Sequence, residues 1–312
     1  MPAQARLHPL DPSLRNTYLY KPFNTKFTNT MPLQYSVLCT FRPGVGRNLP
    51  DSIPANLRDV PMSSTLIYGE KDAVLVDTPL TISGGKEVYD WVIASGKNLK
   101  YIYITHPHGD HYFGNAALLD RFPECKAIAT KEAVEVMVKE VATEKSGSPF
   151  WGMLFPNGQI GSDLRVCEAL EGDNFELEGE KLVVIPTGHT DTEHTSTLWV
   201  PSIGLAVAGD AVYNNVHPYF GENKTKEKRD QWMEALDTIA ALRPKFVVGG
   251  HKDPEQTDDP KAIEETRRYF QDIERLDGET GSVQELFDAM FKIHGGRLNA
   301  GSLWGAANAL KG

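Results

Sequence analysis

The stretch Tyr101-Ile-Tyr-Ile-Thr105-His106-Pro-His108-Gly-Asp110-His111 runs from an apolar strand pattern straight into three imidazoles and a carboxylate. Histidines this close repel one another once protonated, and each needs a polar partner if buried. A divalent cation meets both demands, because it binds neutral imidazoles and favours their deprotonated form. A solvent-facing His-rich turn is the competing explanation, and this density of donors behind a buried strand weighs against it. The stretch reads as the heart of a metal site.

Three later segments repeat the pattern singly. Leu182–Gly188 leads into His189, Gly204–Gly209 into Asp210, and Lys245–Gly250 into His251. Each is an apolar β run, then a glycine that permits close backbone approach, then a metal-ligating residue type. One such residue after one strand is ordinarily a cap or a turn. Four strand ends of this kind imply a common sheet edge where the side chains converge.

With HxHxDH followed by separate His, Asp and His, the sequence from Ser64 to His251 resembles the metallo-β-lactamase superfamily. The resemblance implies an α/β fold, the four-layer αββα sandwich, with the site at one edge of the two packed sheets. It implies that His106, His108 and His189 hold one metal, that Asp110, His111 and His251 hold a second, and that Asp210 bridges them. Asp77, ending Val-Leu-Val-Asp, matches an acidic residue that orients ligand histidines from behind. Two divalent ions are expected, zinc first, with iron or manganese admitted by the carboxylate bridge. Antibiotic-hydrolysing members carry Cys where Asp210 stands, and none of Cys39, Cys125 and Cys167 falls at a ligand position. Asp210 instead matches the branch of lactonases, thioesterases and phosphodiesterases, so the superfamily name is not an activity. Two cations about 3.5–4 Å apart can acidify a shared water and polarise a scissile bond, and Asp110 could relay a proton to the leaving group.

The segment after Asp210 holds Tyr213, His217, Tyr219 and Phe220, groups suited to a pocket wall. A phenol here could donate to a developing oxyanion, making Tyr213 and Tyr219 catalytic candidates; aromatic packing with satisfied hydroxyls is the alternative. His194 and His217 are expected to support the ligands rather than to add another. Trp151, Phe155 and Phe220 are candidate pocket residues, and the apolar run around Trp151, Met153 and Phe155 reads as an exposed lid. Trp304 could join them, pack in the core, or meet a second copy in a homodimer.

The 312 residues, 40% hydrophobic and 24% charged, have the composition of an ordinary globular chain. We expect a single domain with an irregular N-terminal arm (about 1–34) and a helical C-terminal region (about 255–312). The net charge of -10 argues against nucleic acid or an anionic membrane as partner. Scattered cysteines and the lack of an apolar leader point to a cytoplasmic protein. Strand patterns cover Tyr35–Phe41, Ser64–Tyr68, Ala73–Asp77, Tyr101–Thr105, Ala127–Ala129, Lys181–Pro186, Thr195–Val200, Leu205–Ala208 and Phe246–Val248. Helical patterns cover Lys86–Ser95, Ala116–Phe122, Lys131–Glu144, Lys226–Leu242, Pro260–Leu276 and Ser282–His294. The proline-rich loop Arg42–Pro61 is a candidate pocket wall.

Aromatic surroundings without Lys/Arg clusters favour a small, largely uncharged substrate. RNA-cutting relatives usually add a binding module and a basic face, and glyoxalase II relatives a basic C-terminal patch; neither is found here. Elimination leaves a cyclic ester or amide, a lactone or lactam of a secondary metabolite or xenobiotic. Thioester hydrolysis is the nearest alternative, and a non-hydrolytic di-iron oxygen- or sulfur-handling protein the one from another class.

Overall fold

A computed structural model describes residues 32–45, 49–146 and 149–312. Nearly all of the expected N-terminal arm, with His8, lies outside the described residues. The first sheet comprises β1 (Gln34–Arg42), β2 (Val60–Tyr68), β3 (Asp72–Val76), β4 (Asn98–Tyr103), β5 (Lys126–Ala129) and β6 (Glu168–Ala169), side by side in that order. The second comprises β7 (Asn174–Leu177), β8 (Glu180–Gly188), β9 (Thr195–Val200), β10 (Leu205–Asn214) and β11 (Phe246–Lys252), again in chain order.

Alternation along the strands builds the layers. In β3, Val74 and Val76 face the core between the sheets, while Ala73 and Leu75 face helices on the outside. In β10, Leu205 and Val207 point inward to the same central core, and Ala206 and Ala208 outward. A period-2 strand that is apolar on both faces must be covered on both faces. Helices α1 (Ile82–Ala94), α2 (Asn115–Arg121), α3 (Lys131–Glu144) and α4 (Phe150–Leu154) cover the first sheet. Helices α5 (Lys226–Ala241), α6 (Lys261–Glu279), α7 (Val283–His294) and α8 (Ala300–Lys311) cover the second. The result is the four-layer αββα sandwich. Strands β3, β4 and β5 run parallel, as do β10 and β11, so their C-terminal ends gather at one edge.

One expectation is corrected. The segment around Trp151 is helix α4, and Trp151 and Phe155 are buried at 8% and 3% exposure, leaving only Met153 of the three exposed. The cause is polar as well as apolar: Trp151 Nε1 donates to Glu140 Oε1 at 2.7 Å, drawing the indole onto α3. Helix α8 has no counterpart among the sequence patterns. Asn299 caps it from a left-handed conformation, and Ala300, Leu303, Ala306 and Ala307 bury its inner face. No helix of the described residues is long and apolar enough to cross a membrane, and all three cysteines are free.

Candidate metal centre

Backbone geometry brings the donors together. Asp77 follows β3 with a left-handed φ of 60°, which turns its carboxylate toward the end of β4. There Oδ1 accepts from the Thr105 amide at 2.9 Å, and Oδ2 accepts from the Thr105 hydroxyl at 2.8 Å. Gly109–His111 forms a single 3-10 turn that folds Asp110 and His111 back over the strand end. In β10 the pairing with β11 slips between Gly209 and Tyr213, and Gly209 has a φ of 53°. That bulge pushes Asp210 out of the ladder and into the site.

Each histidine of the cluster has one ring nitrogen engaged and the other aimed inward. His106 Nδ1 lies 2.9 Å from Thr105 Oγ1, His111 Nδ1 2.9 Å from Asp77 Oδ2, and His251 Nδ1 2.6 Å from the Pro61 carbonyl. Their Nε2 atoms face inward. His111 Nε2 is 3.3 Å from Asp210 Oδ1, and His251 Nε2 is 3.3 Å from Asp210 Oδ2. His108 is reversed: Nε2 meets Glu222 Oε1 at 3.2 Å and Nδ1 points in. Outer partners of this kind fix tautomer and ring orientation in metal sites.

The donors fit a cation. His106 Nε2, His111 Nε2, Asp191 Oδ2 and Asp210 Oδ1 are all buried without a hydrogen-bond partner. Buried polar atoms are ordinarily paired, so orphans pointing at one place call for an ion. Donor atoms also cluster within 4.8 Å of one another in the sets Asp77–His106–His111, His106–His108–Asp191 and Asp110–His111–His251. Electrostatics agree. Burial works against charge on His111, but Asp210 and Asp77 outweigh it and push the imidazole up to about 9. Burial likewise opposes charge on Asp210, yet His251 and His111 hold the carboxyl well below its usual range.

The remaining expected residues are placed as follows. His189 is buried and belongs to none of these donor sets, with Nε2 2.9 Å from Asn223 Oδ1 and Nδ1 3.1 Å from Glu193 Oε1 but without a hydrogen bond. His194 is exposed in the turn before β9, with φ 61°. Tyr213 gives its hydroxyl to Asp210 Oδ2 and stacks on His251 at 5.5 Å, so its phenol is committed to a carboxylate of the site. Tyr219 stands edge-on to His108 at 5.8 Å and is partly exposed in the cleft above it. Phe220 has one face on that cleft and otherwise packs against Trp232 and Phe270. Trp151 lines the cleft, whereas Phe155 lies behind it, beneath the Arg42 guanidinium at 5.2 Å. The cleft holds about 760 Å³.

Four residues escaped the sequence reading. Asp191, Arg42, Glu222 and Asn223 all touch the cluster or its supports. Arg42, at the end of β1, places Nη2 2.8 Å from Asp110 Oδ2. Only Asp191 had a local signal, being an acid two residues beyond His189 in the same turn.

His217 lies under α6 rather than at the cluster, with Nδ1 3.0 Å from the Tyr269 hydroxyl. Burial, with Arg297 nearby, holds it neutral, well below its ordinary value of 6.5. The unfolded chain therefore binds a proton near 6.5 that the folded chain refuses. Stability is full above that pH and declines as pH falls through it. His217→Asn, which keeps a donor and does not titrate, is expected to flatten this acid-side slope in urea unfolding; an unchanged slope would contradict it.

Comparison with known proteins places this geometry. The metallo-beta-lactamase superfamily model matches residues 57–251, and the chain belongs to that superfamily. A UPF0173 metal-dependent hydrolase of Thermofilum pendens is 27% identical over 179 residues, covering 54% of this chain and 71% of the relative. A hydroxyacylglutathione hydrolase of Francisella tularensis subsp. novicida is 25% identical over 182 residues, covering 57% and 66%. Among solved structures, a metallo-beta-lactamase family protein of Thermus thermophilus superposes with TM-score 0.55 at 20% identity, covering 88% of this chain and 92% of its own. That likeness concerns the fold alone.

Proposed function

We propose that the protein is a binuclear metal-dependent hydrolase that opens a small, largely uncharged cyclic ester or amide. The observation that carries this reading is the convergence of unpartnered, buried imidazole and carboxylate atoms beside a partly aromatic cleft. Bound cations would supply an acidified water and polarisation of the scissile carbonyl. Zinc suits the imidazoles, and the carboxylates also admit iron or manganese.

The chain's own groups divide the remaining work. Burial would raise the Asp110 carboxyl, but Arg42, His111 and His251 outweigh it and keep the group ionised. Arg42 occupies Oδ2, so a proton passed to the leaving group would travel by Oδ1. Tyr219 stands at the cleft beside His108, where its hydroxyl can donate to a developing oxyanion. Trp151, Tyr219, Phe220 and Trp304 give the cleft apolar walls, and Glu140, Glu144 and Glu222 add negative charge. Arg42 is the only Lys or Arg among its described lining residues and is already paired. An anionic substrate tail would meet repulsion there, which supports the neutral cyclic substrate.

Thioester hydrolysis is the second reading, favoured by the name of the Francisella relative. A panel of lactones, lactams, thioesters and phosphodiesters, offered to metal-loaded protein, tests both. Turnover of a lactone or lactam above the others is expected. Turnover of phosphodiesters alone would defeat the proposal.

A further inference from the structure

We infer that Asp191, and not His189, completes the ligand set beside His106 and His108. The assignment rests on the metal-centre reading above and departs from what the superfamily resemblance implies for this turn.

Asp191 is fully buried, and its two oxygens are unlike. Oδ1 accepts the Thr190 hydroxyl at 3.0 Å, which fixes the carboxylate plane. Oδ2 has no hydrogen bond, although it lies 2.8 Å from His108 Nδ1 and 3.4 Å from His106 Nε2. Contact this close without hydrogen-bonding alignment is what donors around a common ion show. Tetrahedral bonds of about 2.0–2.1 Å put neighbouring donor atoms roughly 3.3 Å apart. The His106 separation matches that figure and the His108 separation is somewhat tighter.

His189 is engaged elsewhere through Nε2, while Nδ1 lies 3.1 Å from Glu193 Oε1 without a hydrogen bond. Nε2 faces the carbonyl oxygen of Asn223, a residue that is itself wholly buried. Asn223 is anchored in turn, its amide donating to the Phe220 carbonyl at 2.9 Å and its carbonyl accepting from Arg229 Nη1 at 3.0 Å. Asn223 Nδ2 also reaches the Asp191 carbonyl at 3.5 Å. His189 thus serves as a positioning residue that braces the turn presenting Asp191. Substituting a carboxylate for an imidazole would make the first site harder and one charge more negative, shifting its preference toward manganese or iron.

The test counts metal by elemental analysis after dialysis against zinc or manganese, with circular dichroism as the check on folding. Asp191→Asn is expected to lower bound metal from two ions to about one per chain. His189→Gln, which can still bond to Asn223, is expected to keep two. Retention by Asp191→Asn together with loss by His189→Gln would overturn the assignment. Should either variant misfold, the cobalt-substituted wild-type protein decides through its paramagnetically shifted imidazole N–H proton resonances. Four are expected, from His106, His108, His111 and His251, and a fifth would overturn the assignment. Wild-type protein that takes up no metal at all would instead remove the reading beneath it.

Discussion

Asp210→Ala should empty the centre of metal and abolish turnover together. Its two oxygens face different histidines, Oδ1 toward His111 and Oδ2 toward His251, each at 3.3 Å. Oδ2 also accepts the Tyr213 hydroxyl, which fixes the carboxylate between the two rings. Without a cation, water has a pKa of about 15.7 rather than about 7, so the nucleophile disappears along with the metal. A fall in rate of at least about a thousandfold is expected on that ground. Metal analysis alongside steady-state kinetics checks it, and a variant that kept full metal and rate would remove Asp210 from the centre.

The second large effect comes from a residue with no side chain. A Cβ at Gly250 would stand 2.2 Å from Asp210 Oδ1 and 3.0 Å from both the Gly209 carbonyl carbon and His111 Cε1. Two of those neighbours are the groups meant to grip metal, and the third is backbone of the bulge that presents them. Gly250→Ala should therefore cost about 1–3 kcal/mol of stability by overpacking and weaken metal binding at least tenfold. Gly278→Ala, in α6 with nothing within 4 Å, is the control. It should leave metal binding alone and stabilise the helix slightly. Equal behaviour of the two variants in urea unfolding and metal titration would refute the steric account.

Much of this architecture was legible in the chain. The apolar runs of β8, β9 and β11 and the helical periods of α3, α5 and α7 lie within a few residues of their sequence patterns, because each buries a regular face, whereas β10 starts at Leu205 as expected but runs on to Asn214. His106, His108, Asp110 and His111 are close in sequence, so a single turn is enough to gather them. The failures have a common physical form. Helix α8 contains Gly301 and Gly305, which weaken a helical pattern, and forms because α7 gives its small residues a surface to pack on. Arg42 reaches Asp110 across 68 positions, a pairing that only the folded sheet creates. The turn that carries His189 and Asp191 starts from a left-handed Gly188, with φ 73°, and His189 Nε2 meets Asn223, a residue 34 positions on. Spacing alone carries none of that.

Glu140 of α3 accepts from three donors at once. Its Oε1 takes the Trp151 indole proton at 2.7 Å and the Gly109 amide at 3.3 Å, while Oε2 takes the Tyr112 hydroxyl at 2.6 Å. The cleft wall at Trp151 and the turn that carries Asp110 and His111 are consequently pinned to the same carboxylate. Cleft shape and donor placement are thereby mechanically linked: remodelling the cleft at Trp151 would tug on the turn that presents two of the candidate metal donors.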